Sequence, residues 1–147
     1  MARIHRLLTW PAAFIIASIL LWYEQYKLTG AGASVWLFTV ISDWLYLDGY
    51  EKPFRLSVAI AEIVASILVL LPWTRLWGAA LALGIMSGAI FFHVISPLGI
   101  DPYHDGGSLF KEACTVWLCS VFILLSYRDE IGAIIGGLMN RASKARA

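Results

Sequence analysis

Four runs along the chain stay apolar long enough to cross a hydrocarbon core, which takes about 20 residues with a tolerated range of roughly 17 to 25. They lie near residues 7–27, 54–72, 76–95 and 109–127. Between the first two, VWLFTVISDWLYL (35–47) follows a helical period. Leu37, Val40, Ile41, Trp44 and Leu45 fall on one face, and Thr39, Ser42, Asp43 and Tyr46 on the other. At that length it is too short to span, so it is expected to lie flat at the membrane surface as a lid over the bundle. The turn PWTRLW is short and aromatic, which fits a hairpin at an interface, and IGAIIGGLM after Glu130 reads as a short apolar tail segment. The pattern predicts an all-α fold in a single domain over 1–147. The expected form is an integral membrane antiparallel four-helix bundle with a short interfacial amphipathic helix after the first span and a cytoplasmic tail at 128–147.

Composition strengthens this reading. Of 147 residues, 60% are hydrophobic and only 14% charged, against about 25% charged in an average soluble domain. A formal net charge of +1 offers no basic stripe for nucleic acid. The basic start MARIHR and the triplet Ala31-Gly32-Ala33 resemble parts of a signal peptide, but EQYK interrupts the approach to that site and the apolar run is long, so the first run is expected to remain a span.

Short cytoplasmic loops collect Lys and Arg. Arg3, Arg6, Arg75, Arg128, Arg141, Lys144 and Arg146 fall on one side of the four spans, against Lys27, Lys52, Arg55 and Lys111 on the other. Both termini are therefore expected in the cytoplasm. Cys114 and Cys119, five apart on one helix, sit on different faces and do not form a redox or zinc pattern.

The charges in and beside the spans change the picture most. Glu24 and Lys27 close the first span, Arg55 and Glu62 lie on the second, His93 on the third, and Lys111 and Glu112 open the fourth. In the expected topology all lie toward the outer face. A carboxylate such as Glu62 facing lipid costs a few kcal/mol, so it is expected to face the bundle and have a partner. Spacing supports that direction: Ala13, Ala17, Leu20 and Glu24 share a face, as do Arg55, Ala59, Glu62 and Ser66. Ile85, Ala89 and His93 form the third stripe, and Glu112, Thr115, Cys119 and Ser126 the fourth. Gly84-x-x-x-Gly88 reads as a helix-packing motif.

Two readings of this cluster stay open. The charges are either ion pairs that hold four helices in register or the wall of a polar pocket where a carboxylate and an imidazole handle protons or a polar headgroup. The turn-rich FHVISPLGIDPYHDGGSLFKE (92–112) delivers His104 and Asp105 to the pocket mouth. His93, His104, Asp101 and Asp105 lack the tight spacing of a metal site, and haem would want a second axial histidine on a facing helix. No metal or haem is expected.

YKLTG at the end of the first span, FRLSVAIAEIVASILVLLP, WGAALALGIMSGAIFFHVISPLGI and DGGSLFKEA stand in an order that resembles the DoxX-like family of small four-helix membrane proteins, from about Arg6 to Tyr127. The resemblance implies an antiparallel bundle and, from the family's name, association with quinone-linked oxidoreductase systems. Lys27, Glu62 and His93 sit on matching motif positions. The expected function is a redox-associated subunit binding a quinone-like amphipathic molecule in an outer-leaflet pocket. Glu62 and His93 would act on the headgroup, Lys27 and Arg55 would hold Glu62 ionised, and Glu24, His104, Lys111 and Glu112 would complete the binding wall. The alternative is a non-catalytic assembly subunit whose charges are a latch, and a small transporter is a third reading. Expected partners are the lipid bilayer and protein subunits or further copies of the chain, in a bacterial or archaeal cytoplasmic membrane.

Overall fold

The computed structural model of the protein describes residues 2–133 together with 136 and 137, with side chains from Leu7 onward. Among them are the helices α1 (Ala2–Thr29), α2 (Gly32–Trp44), α3 (Glu51–Leu70), α4 (Arg75–Ile95) and α5 (Ser108–Ser126), further helical residues at 128–133 and 136–137, and no strand. Much of the expected tail, including Arg141, Lys144 and Arg146, lies outside the described residues, as do the side chains of Arg3 and Arg6. Leu7–Thr29 of α1 and the whole of α3, α4 and α5 are long and apolar enough to cross a membrane. The bundle also turns large apolar side chains outward, among them Phe14, Ile60, Ile67, Leu118 and Leu125. Water would penalise that surface and lipid would not. The chain is an integral membrane protein.

The four long helices close a ring in which α1 and α4 each pack against both α3 and α5. Their shared core is made largely of small side chains: Ala13 and Ala17 of α1, Ala65 of α3, Ala79 and Ala82 of α4, and Ala113 of α5. Small residues let backbones approach closely, which supplies packing energy where lipid gives no hydrophobic drive between helices. Among the glycines the tightest site is Gly78, where an added Cβ would collide with the α3 backbone at Leu68 and Val69. Gly84 and Gly88 do not play that part. A Cβ at either would meet nothing within 4 Å, so the GxxxG spacing marks open space and not a helix contact.

The inward faces of α1 and α3 are those that spacing predicts: Ala13, Ala17, Leu20 and Glu24 are buried, and so are Arg55, Ala59, Glu62 and Ser66. The stripe on α5 is one residue out of phase. Its buried positions are Ala113, Val116, Ser120 and Ile123, while Thr115 is exposed. The Thr115 and Ser126 hydroxyls donate to the carbonyls of Lys111 and Phe122, each at 2.8 Å. A hydroxyl satisfied by its own helix need not face inward.

α2 lays Leu37, Phe38 and Ile41 into a second apolar cluster with Leu98 of the α4–α5 connection, flanked by Phe54 of α3 and Phe92 of α4. The phase of α2 also shifts slightly from expectation, with Phe38 and Ser42 buried while Trp44 and Leu45 are half-buried. Phe38 meets Phe54 edge-on at 5.6 Å, a favoured aromatic geometry.

Candidate functional site

The end of α1 shows how the local sequence builds the site. Gly30 adopts φ +69°, a left-handed conformation that glycine enters without a Cβ penalty. The amide of Ala31 then donates back to the Tyr26 carbonyl at 3.0 Å, the outer bond of a Schellman cap. Within the same last turn the Lys27 carbonyl accepts from Arg55 Nη1 of α3. Arg55 Nε in turn donates to Glu51 at 2.5 Å. So a buried guanidinium, 5% exposed, finishes α1 by taking one of its orphan carbonyls.

The side chain of Lys27 points the other way. Its ammonium donates to Glu24 Oε1 at 3.0 Å and to Glu62 Oε2, joining α1 to α3. Glu24 and Glu62 are each 4% exposed. Two carboxylates therefore share a single cation, and Glu24 Oε2 is buried with no partner. Such a cluster holds two helices together while carrying more acceptor capacity than its cation fills.

Beside it lies a cavity of about 640 Å³, within the range of small-molecule sites. Its wall is chiefly apolar and draws on all five helices. Lys27, Glu62, His93 and Glu112 supply its acidic and basic side chains, and Tyr23, Tyr26 and Tyr103 add phenols. His93, 4% exposed, sets Nδ1 2.6 Å from the Gly99 carbonyl. A carbonyl only accepts, so Nδ1 carries the proton and Nε2 is the nitrogen left for the cavity. The Phe110 ring stands edge-on to the imidazole at 5.7 Å. Tyr23 of α1 also lines the cavity, and Glu112 Oε2 is buried and unpartnered.

The expected site residues thus divide. Glu62, His93, Lys27 and Glu112 are brought to one cavity, and Glu24 and Arg55 stand behind Lys27 as supports. Lys111 and His104 are not brought in. Lys111 is exposed, its ammonium beside Gly106, and His104 is exposed at φ +55°. The reason is the loop. Asp101 accepts from the amides of Asp105 and Gly106 at 3.0 and 3.2 Å, and Asp105 accepts from the amides of Gly107 and Ser108 at 3.1 Å each and from the Ser108 hydroxyl. Both carboxylates are spent on folding the turn and starting α5. The Ser108 bonds hold the Asp105 carboxyl below its usual range.

Tyr103 was not singled out by spacing. It lines the cavity, donates to the Ala33 carbonyl at 2.8 Å and packs its ring against Trp36 at 6.0 Å, so it ties the α4–α5 loop to the start of α2. Burial raises its phenol above the ordinary value.

No protein-family model, curated protein or solved structure matches this chain.

Proposed function

We propose that this protein is a DoxX-like membrane subunit whose cavity holds the polar ring of a lipid-soluble, quinone-class molecule. In this reading the four spans run antiparallel with both termini in the cytoplasm, and α2 lies in the outer interface over the cavity. Trp36, Tyr46 and Tyr50 are exposed near α2, and Trp73 and Trp77 at the α3–α4 turn, as aromatic belts at two interfaces would have them. The observation that carries the proposal is the conjunction of an apolar cavity of about 640 Å³ with Glu62, His93 and Glu112 on its wall. Apolar walls take a hydrophobic ring and tail, and the few polar groups fix its orientation. Glu62 is held by Lys27, and the imidazole has a fixed tautomer, so both are set to exchange hydrogen bonds or protons with ring oxygens. The redox partner would be another subunit.

Mass spectrometry of small molecules extracted from the gently purified protein tests this, comparing the native chain with Glu62→Gln. A quinone-class molecule carried by the native chain and lost from the variant, with thermal unfolding little changed, is the expected result. A second reading rests on the way Lys27 bridges α1 and α3: the cluster is a latch within an assembly subunit. Two empty proteins with a less stable variant would establish the latch and set the ligand aside.

A further inference from the structure

The cavity does not stay inside the bundle. His93 and Gly84 both lie on its wall, yet they stand nine residues apart on α4. At 3.6 residues per turn that is about two and a half turns, which sets them on opposite sides of the helix. His93 is buried and Gly84 exposed. Ile85, Gly88, Ala89 and Phe92 carry the wall from one side to the other, along the flank of α4 where Phe92 meets Phe54 of α3. On α3 the wall likewise passes from buried Glu62 through Ala61 and Val58 to Ser57, which is exposed. The cavity therefore leaves the bundle through the seam between α3 and α4. Gly84 is nine residues from Arg75 and eleven from Ile95, about 14 and 16 Å from the two ends of a helix that can span the membrane. At that depth the opening faces hydrocarbon. The wall formed by α1 and α5 has the opposite chemistry: it carries the Trp22 indole, the Tyr23 and Tyr26 phenols, the Lys27 ammonium and the Glu112 carboxylate. In the seam the one polar side chain is Ser57, whose hydroxyl donates to the Pro53 carbonyl at 2.7 Å.

We propose that this seam is a lateral mouth through which the hydrocarbon chain of the bound molecule runs out into the lipid over Gly84 and Gly88, with the polar ring turned toward α1 and α5. The proposal rests on the quinone-class reading above and adds to it the path of the chain and the two residues that keep that path open. Drawing a long chain through water would cost its whole hydrophobic transfer energy. A mouth in the seam lets the ring enter while the chain never leaves hydrocarbon. Glycine in a helix interior is unfavourable relative to alanine, and packing does not account for it here, because a Cβ at Gly84 or Gly88 would meet nothing within 4 Å. The space they leave is part of the cavity itself. A groove that only replaces lipid adds little affinity, so the seam selects which molecules can enter and leaves the strength of binding to the ring.

The test uses the full chain in phosphatidylcholine vesicles with a benzoquinone whose decyl chain carries a photoreactive diazirine. After illumination the labelled residues are mapped by peptide mass spectrometry, with and without an excess of decyl-benzoquinone or of decanol. Labelling is expected within 57–61 and 84–88, removed by decyl-benzoquinone and not by decanol. Gly84→Leu combined with Gly88→Leu fills the path and is expected to cut that labelling at least about tenfold. The melting temperature should stay level or rise, since both positions have room and leucine favours the helix over glycine. If the double variant does not fold, the map on the native chain decides alone. Quinone-displaceable label on Trp22 and Tyr26 instead, or labelling unchanged in the folded double variant, would overturn the mouth and leave the quinone-class site standing. Equal displacement by decanol would do the same, showing a groove for any lipid chain. No displaceable label anywhere would overturn the mouth together with the reading beneath it.

Discussion

A buried Arg75 and a half-buried Lys27 join helices at opposite ends of this bundle, and their surroundings are completed in opposite ways. Arg75, 1% exposed, meets neutral partners: its guanidinium donates to the Val69 carbonyl at 3.0 Å, to Leu70 at 3.5 Å and to the Thr9 hydroxyl at 3.0 Å, and it lies 3.9 Å over the Trp10 ring. It caps the last turn of α3 and fastens α1 to it without importing a negative charge. Lys27 is met by carboxylates. Both buried side-chain oxygens that lack a partner among the described residues, on Glu24 and Glu112, lie toward its end of the bundle. One end is closed by the protein's own carbonyls; the other carries surplus acceptors beside an open cavity. The difference teaches that a buried charge in a membrane bundle is not by itself a sign of function. Whether the surrounding polar atoms are all used is the better guide.

Substitutions can break this contrast, and the largest effect belongs to the closed end. Gly78→Ala places a Cβ against the α3 backbone at Leu68 and Val69, a clash with no flexible neighbour to absorb it. A loss above about 4 kcal/mol is expected, seen as failure to recover folded protein or a collapse of thermal stability in detergent. Lys27→Met comes next: it leaves Glu24 and Glu62 facing each other without a cation, at a cost of about 3–4 kcal/mol at neutral pH. Adding Glu62→Leu should return part of that loss in a double-mutant cycle. Arg75→Met abandons two carbonyls and the Thr9 hydroxyl, a loss of about 2–3 kcal/mol, and should leave ligand retention unchanged where Lys27→Met abolishes it. Loss of ligand on both substitutions at equal stability would erase the distinction between the ends.

The smallest effect lies in the α4–α5 loop. The hydrogen bonds from Ser108 and Gly107 lower the Asp105 pKa below its ordinary 3.8. A carboxyl whose folded pKa is depressed contributes stability that is present above the unfolded value and is lost as pH falls through the folded one. Melting temperature followed from pH 7 to pH 3 should therefore fall less steeply in Asp105→Asn than in the native chain, and the two curves should converge at the acid end.

The spans were legible because twenty apolar residues have few other uses. The inward faces of α1 and α3 were legible as well, since Glu24, Arg55 and Glu62 cannot face lipid without a partner. The α5 face was not, because Thr115 and Ser126 satisfy their hydroxyls on their own helix and so lose their value as markers of direction. Gly84 and Gly88 misled for a related reason: the motif records an absence of side chain, which serves a cavity as well as a contact. Arg75 was counted as a loop charge because it follows a turn. Only the three-dimensional position of the α3 carbonyls reveals it as a cap. Lys111 and His104 were placed by proximity in sequence, whereas Asp101 and Asp105 fold the loop so that both point elsewhere.

Lys27 is held twice, by its carbonyl to Arg55 and by its ammonium to Glu62, both on α3. Sliding α1 past α3 by one turn, about 5.4 Å, would break both attachments in the same movement. Piston motion of this helix pair is thereby locked out. A change in the cavity has to travel by another route, and the most lightly tethered one in contact with it is α2, whose first turn hangs on Tyr103.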